Sequence, residues 1–186
     1  MRRKDRQMSK EFGMEIIDKS KYGIISMIDE DKAYGLPLSI VRDGEFLYFH
    51  SAKDGRKTEV LAKNPSVSVV FVGQVKVPEN FTKDELDEIT RDDSKAVVLI
   101  SSVFTTEFES TIVSGKVNLV EDQDEKIKAM KLICEKYTSE KMQYFDMAIK
   151  AGLNRTNVYK IKIEDVSSKR KKYDMSGKEM KWERIE

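Results

Sequence analysis

The residues best suited to chemistry lie in one stretch of ten, Tyr48-Phe49-His50-Ser51-Ala52-Lys53-Asp54-Gly55-Arg56-Lys57. The pattern is a strand that ends, turns through a glycine and opens a helix on two adjacent cations. A helix N-terminus offers free N–H groups and a partial positive charge, which suit a phosphate; Ser51 adds a hydroxyl, and Arg56 and Lys57 add charge-assisted contacts. Cations in a first helical turn oppose the helix dipole at about 0.3–1 kcal/mol each, a cost that a bound anion removes. The competing reading is a solvated Arg-Lys pair, which a chain with 36% charged residues can carry anywhere on its surface. The segment alone does not choose between them.

His50 is the chain's single histidine, and an unperturbed pKa of about 6.5 makes it the natural proton carrier near neutrality. Neighbouring side chains on a strand point to opposite faces, so His50 and Ser51 do not form a nucleophile–base pair. His50 shares its face with Phe46 and Tyr48, an aromatic surface against which a flat ligand can lie. The plainer alternative is a strand-end histidine satisfied by a backbone carbonyl. Cys134 falls on the apolar face of a helix and reads as a core thiol. With one cysteine and one histidine, an intrachain disulfide and the usual zinc spacings are excluded, and no metal site is expected. Neither GxGxxG nor GxxxxGK[ST] occurs, which removes the common dinucleotide and P-loop sites.

The elements that must position these residues follow from periodicity. Met8, Phe12, Ile16 and Ile17 recur at helical steps, giving a short opening helix over 6–19. Residues 22–28, 33–41 and 45–50 read as a three-strand antiparallel meander. A short helix over 56–63, with Asp54 as N-cap and Asn64-Pro65 as its stop, precedes a strand at 67–72. Thr82 and Glu85 form a capping box that opens a polar helix in a surface insertion. Strands over 96–105 and 108–120 read as a long hairpin, with Gly115 at a bulge or close backbone approach. Helices over 124–137 and 140–150 and a strand over 157–163 complete the domain. Meander order with brief helical interruptions favours a closed or nearly closed antiparallel barrel, mainly β (β+α), with six or seven strands and peripheral helices.

The chain of 186 residues is one domain of ordinary size, set here at 1–166, with a charged tail at 167–186 that is extended or docked. Its 34 basic and 33 acidic residues leave a net charge of +1, so no global field recruits nucleic acid or an anionic membrane. The run Lys169-Arg170-Lys171-Lys172 reads as solvated rather than as a nucleic-acid site. A charged N-terminus without an apolar stretch, and no long apolar run, place the chain in the cytoplasm.

Four spaced segments carry a resemblance. Met1-Arg-Arg-Lys-Asp-Arg6, Tyr34-Gly-Leu-Pro-Leu38, Leu47-Tyr-Phe-His-Ser-Ala52 with Gly55-Arg-Lys57, and Phe108-Glu-Ser-Thr-Ile-Val-Ser-Gly115 together resemble the Nim-type 5-nitroimidazole-resistance proteins. These belong to the pyridoxamine-phosphate-oxidase-like flavoproteins. The resemblance implies an antiparallel split β-barrel that forms a homodimer with FMN at the subunit interface. Carried onto this chain, it implies that Arg56 and Lys57 hold the phosphate with Ser51 and Gly55 nearby. Leu36, Pro37, Leu38 and Ser39 would line the flavin ring, His50 would lie beside it, and Ser110 would reach the flavin of the other subunit. The chain departs from the family in carrying Phe108 and Thr111 beside Ser110, and Ser167-Ser168-Lys169 after the last strand. The implied activity is FMN-dependent reduction of small electron-poor acceptors such as nitroaromatics, with His50 as the catalytic residue. The alternative is a flavin-binding protein, or a pyridoxamine-phosphate-oxidase-like oxidoreductase with a different substrate or none.

Overall fold

The computed structural model describes residues 2–184. In chain order the elements are β1 (Gln7–Met8), α1 (Lys10–Lys19), β2 (Gly23–Asp29), β3 (Lys32–Leu38), β4 (Val41–Asp43), β5 (Phe46–Ala52), α2 (Arg56–Lys63) and β6 (Ser66–Lys76), then α3 (Lys83–Ile89), α4 (Ala96–Val98), β7 (Glu107–Leu119), α5 (Gln123–Thr138), α6 (Phe145–Gly152) and β8 (Thr156–Lys171). All the strand pairs are antiparallel, in the order β3-β2-β6-β7-β8-β5-β4, with β1 added to β8.

The strands at the two ends of this order, β3 and β4, are consecutive in the chain and joined only by Ser39 and Ile40. That short link holds the two edges of the sheet near one another, so the sheet must curl around a core. No ladder pairs β3 with β4, and the barrel stays open along that seam. The three-strand meander expected over 22–50 therefore resolves into two hairpins at opposite edges. Pro37, which has no N–H to donate, suits an edge strand such as β3.

Alternation builds the core. β2 buries Gly23, Ile25 and Met27 and exposes Ile24, Ser26 and Ile28, the period-2 pattern of a strand with one covered face. Ile25, Ile40, Leu47, Phe49, Val69, Phe71, Val113 and Ile161 fill the barrel. α1 is capped by Ser9, whose hydroxyl accepts from the Phe12 N–H at 3.2 Å, and it buries Ile16 and Ile17 against that core. α5 covers the other face of β5 and β8, where Tyr48, Val158, Ala129 and Ile133 make a second cluster.

Gly115 sits at a break in the β7–β8 register between Ser114 and Gly115. A Cβ at this position would stand 2.1 Å from the Lys162 carbonyl oxygen, so the expected close backbone approach is what the strand contains.

Two further strand expectations fail. Residues 96–105 are not a strand: α4 continues as a π-helix over Leu99–Val103. Every β-branched residue of that run favours a strand locally, but β6 and β7 pair directly with each other and leave no edge for it. Its position is fixed instead through the Ser101 carbonyl, which accepts from the Tyr173 hydroxyl at 2.7 Å and from Lys171. Second, the last strand does not end at Ile163 but runs to Lys171, and residues 167–171, expected in the tail, pair with β7. Arg170 and Lys171 are buried, so the basic run is half inside the molecule. Beyond it Tyr173 and Met180 are buried, Arg6 bonds Glu179 at 2.5 Å, and the Trp182 N–H donates to the Asp5 carbonyl at 2.8 Å. The C-terminal segment is docked on the N-terminus.

Candidate functional site

At the end of β5 the chain turns into α2 through Gly55, which adopts φ +117° and ψ 165°, a conformation that favours glycine. Nothing lies within 4 Å of the space a Cβ would fill there. Gly55, not Asp54, occupies the N-cap, and no side chain caps the helix. The Thr58 and Glu59 amides bond back to the Gly55 carbonyl, leaving the Arg56 and Lys57 amides at the open N-terminus as unfilled donors.

Lys57 is half-buried at this N-terminus, its ammonium 5.8 Å from the centre of the Phe49 ring, and it forms no ion pair among the described residues. Burial pushes its pKa down. His50 stands close enough to feel that charge: the residue is exposed at the end of β5, yet its pKa is lowered, first by partial desolvation of the ring and second by Lys57. Arg56 is exposed and turns toward the β2–β3 hairpin, where Nε donates to Asp29 at 2.8 Å and the guanidinium lies 4.3 Å over the Tyr34 ring. Its two Nη groups carry no protein hydrogen bond among the described residues and stay available to a ligand. Ser51 caps nothing; its hydroxyl donates to the Ala52 carbonyl at 2.7 Å.

Arg56 thus ties the β5–α2 corner to the hairpin that carries the second group of expected residues. Leu36, Pro37, Leu38 and Ser39 line a wide cleft of about 490 Å³ together with Tyr22, Ile24 and Gly35. Tyr22 and Ile24 also line a neighbouring cleft of about 630 Å³, which continues over Val70, Val72 and Gly73 and is rimmed by Lys19, Lys21 and Glu109. His50 lines neither cleft. Ser110 pairs with Val72 and Lys169 on β7, three strands from β3, which is roughly 14 Å at about 4.8 Å per strand spacing. One chain therefore brings together the α2 corner and the β3 hairpin but holds Ser110 apart from both.

A family model described as pyridoxamine 5'-phosphate oxidase matches residues 9–170. The chain belongs to that family. Among solved structures it is similar to a candidate 5-nitroimidazole antibiotic resistance protein from Bacteroides thetaiotaomicron, at 23% identity and a TM-score of 0.64 over 87% of this chain and 84% of that one. It is also similar to a FAD-binding protein from Mesorhizobium loti, at 19% identity and TM-score 0.55 over 89% and 96%. A FAD and heme binding protein from Mycobacterium smegmatis matches at 13% identity and TM-score 0.66 over 89% and 73%. At these identities the likeness is one of fold. No curated protein sequence matches the chain.

Asp29, Tyr22 and Ile24 were not among the residues expected at the site, and Tyr34 was noted only as the start of the Tyr34–Leu38 segment. Ile24 was visible as the outward member of the β2 alternation. The Arg56–Asp29 and Arg56–Tyr34 contacts had no sequence signal, because they join residues 27 and 22 positions apart across a turn of the barrel.

Proposed function

We propose that the chain is an FMN-dependent reductase of small electron-poor acceptors such as nitroaromatics, working as a homodimer with each site shared between chains. The observation that carries the flavin reading is Lys57: a half-buried cation without a carboxylate, beside two free amides and an open glycine corner. A lysine so placed is destabilised by its surroundings until an anion arrives. FMN carries a single phosphate, which fits the single cradle at α2, and its flat ring fits the broad apolar cleft of Leu36, Pro37 and Leu38.

In that arrangement Lys57, the Arg56 Nη groups and the α2 amides hold the phosphate. Pro37 and the β3 backbone on either side of it, backed by Leu36 and Leu38 packed on the core, shield one face of the ring from water, and the Ser39 hydroxyl offers a polar contact at the cleft's end. FMN, once reduced by an external electron donor, would supply the electrons that the acceptor takes up and return to its oxidised form. His50, with its ionisation pushed down, favours the uncharged ring; it orients an acceptor through its N–H, and once protonated it is a stronger acid than a free imidazole.

The homodimer reading rests on the outer face of β3, β2, β6 and β7. Pro37, Ile24, Val70 and Ile112 form one cross-strand row on it, and Ile24, Ile28, Val72 and Ile112 are 37%, 50%, 46% and 45% exposed. Beside this apolar row runs a row of small residues, Gly35, Ser26, Ser68 and Ser114, and an exposed apolar row flanked by small side chains suits an interface. Ser110 stands on the same face as Ile112, at a distance from its own β3 that suits a contact with the partner's cleft.

The test is anaerobic. The FMN-loaded protein is reduced, a 5-nitroimidazole is added, and the oxidised-flavin absorption is followed. Its stoichiometric return, slowed in His50→Ala with FMN still bound, supports the reductase. No return under those conditions refutes the activity and leaves a flavin-binding protein.

A further inference from the structure

Ser39 and Ile40 are the only residues between β3 and β4, and the link bears on the cleft because Leu36 to Ser39 line it. Ile40 is fully buried, yet it lies outside both strands. A buried backbone N–H and C=O without ladder partners must find others. Two consecutive residues of α5 supply them. The Tyr137 hydroxyl accepts from the Ile40 N–H at 3.0 Å and lies 2.9 Å from the Ile40 carbonyl, while Lys136 Nζ donates to that carbonyl at 3.0 Å. Lys136 also donates to the Ile17 carbonyl at 3.1 Å, one of the unfilled carbonyls in the last turn of α1. The residues that follow this turn, Lys19 to Tyr22, line the larger cleft.

We propose that Lys136, with Tyr137, is a positioning residue for the cofactor cleft: its ammonium fixes the Ser39–Ile40 link and the end of α1, and so sets the segment Leu36–Ser39 against Tyr22 and Ile24. Lys136 forms no ion pair among the described residues; its Nζ bonds are to two carbonyl oxygens. A half-buried ammonium held by carbonyls alone is a weak device for stability and a specific one for geometry, since its three donors are directed at two separate segments. Burial lowers its pKa, in keeping with that cost.

The inference rests on the flavin reading, and its test separates the two. Amide hydrogen exchange of the FMN-free full-length protein is compared for wild type, Lys136→Met, Lys136→Arg and Tyr137→Phe, and FMN dissociation constants are measured for the same set. In Lys136→Met, exchange at 36–41 should rise at least tenfold while β6 and β7 stay unchanged, and FMN should bind at least tenfold more weakly. Lys136→Arg should restore most of both, and Tyr137→Phe should free the Ile40 amide even if Lys136→Met folds poorly. Unchanged exchange at 36–41, a uniform rise across the sheet, or local loosening with unaltered FMN affinity would overturn the proposal. A wild type that takes up no FMN refutes the flavin reading, and the exchange data then decide whether Lys136 holds the link.

Discussion

Lys57 and His50 are coupled by charge, and that coupling can be read directly because the chain has one imidazole to observe. In Lys57→Gln, removal of the cation should raise the His50 titration midpoint, seen by NMR on that single ring; an unchanged or lowered midpoint would contradict the placement of the two groups. The same substitution should weaken FMN by about 1.5–3 kcal/mol, the range for a hydrogen bond to a charged group, or roughly ten- to hundredfold in Kd. The stability consequence has a definite sign. His50 ionises less readily in the fold than in the unfolded chain, so its contribution is level above pH about 6.5 and falls as pH drops below that value. Urea unfolding of wild type against His50→Gln between pH 7 and 5 should show that extra loss in the wild type alone. At this scale the sequence was informative where a chemical type was scarce, as with a lone histidine beside two cations, and silent on the links from Arg56 to Asp29 and Tyr34, which exist only once the sheet has curled.

At the scale of elements, local signals succeeded where the element is made by its own residues. The capping box at Thr82 forms as expected, with the Thr82 hydroxyl and Glu85 exchanging contacts, and α2 spans the expected 56–63. They failed where partners decide. Val97, Val98 and Ile100 favour a strand, but β6 and β7 on either side of them pair with each other and the run is helical; β4, too short to stand apart from β3 by propensity, pairs with β5 because Ser39 and Ile40 carry the chain across the seam. The bulge at Gly115 is a place where the two levels agree. Gly115→Ala would force a Cβ onto the Lys162 carbonyl, and overpacking of this kind costs about 1–3 kcal/mol. Thermal unfolding should show that loss with no change in the His50 titration, and an alanine variant as stable as wild type would mean that β7 and β8 lie farther apart there.

For the whole molecule, the fold leaves a row of apolar side chains exposed on one sheet face and holds Ser110 away from its own chain's cleft, in keeping with the expectation that it reaches the other subunit's. The proposed homodimer, a second copy packed on that face, would account for both. Paired charges should break it: Ile24→Glu with Ile112→Glu, both outward on the face, should convert a dimer to monomer in sedimentation and release FMN, while circular dichroism stays that of the folded sheet. A wild type that sediments as a monomer while holding FMN would contradict the shared site. The near-neutral charge and the scarcity of reactive side chains, legible from the outset, fit a protein whose chemistry comes from a bound group. The most direct measurement is therefore an absorption spectrum of the purified protein after incubation with FMN and gel filtration. Oxidised-flavin bands should co-elute with the dimer at one flavin per chain and fall in Lys57→Gln. A colourless protein that cannot be loaded with FMN would contradict the flavin reading.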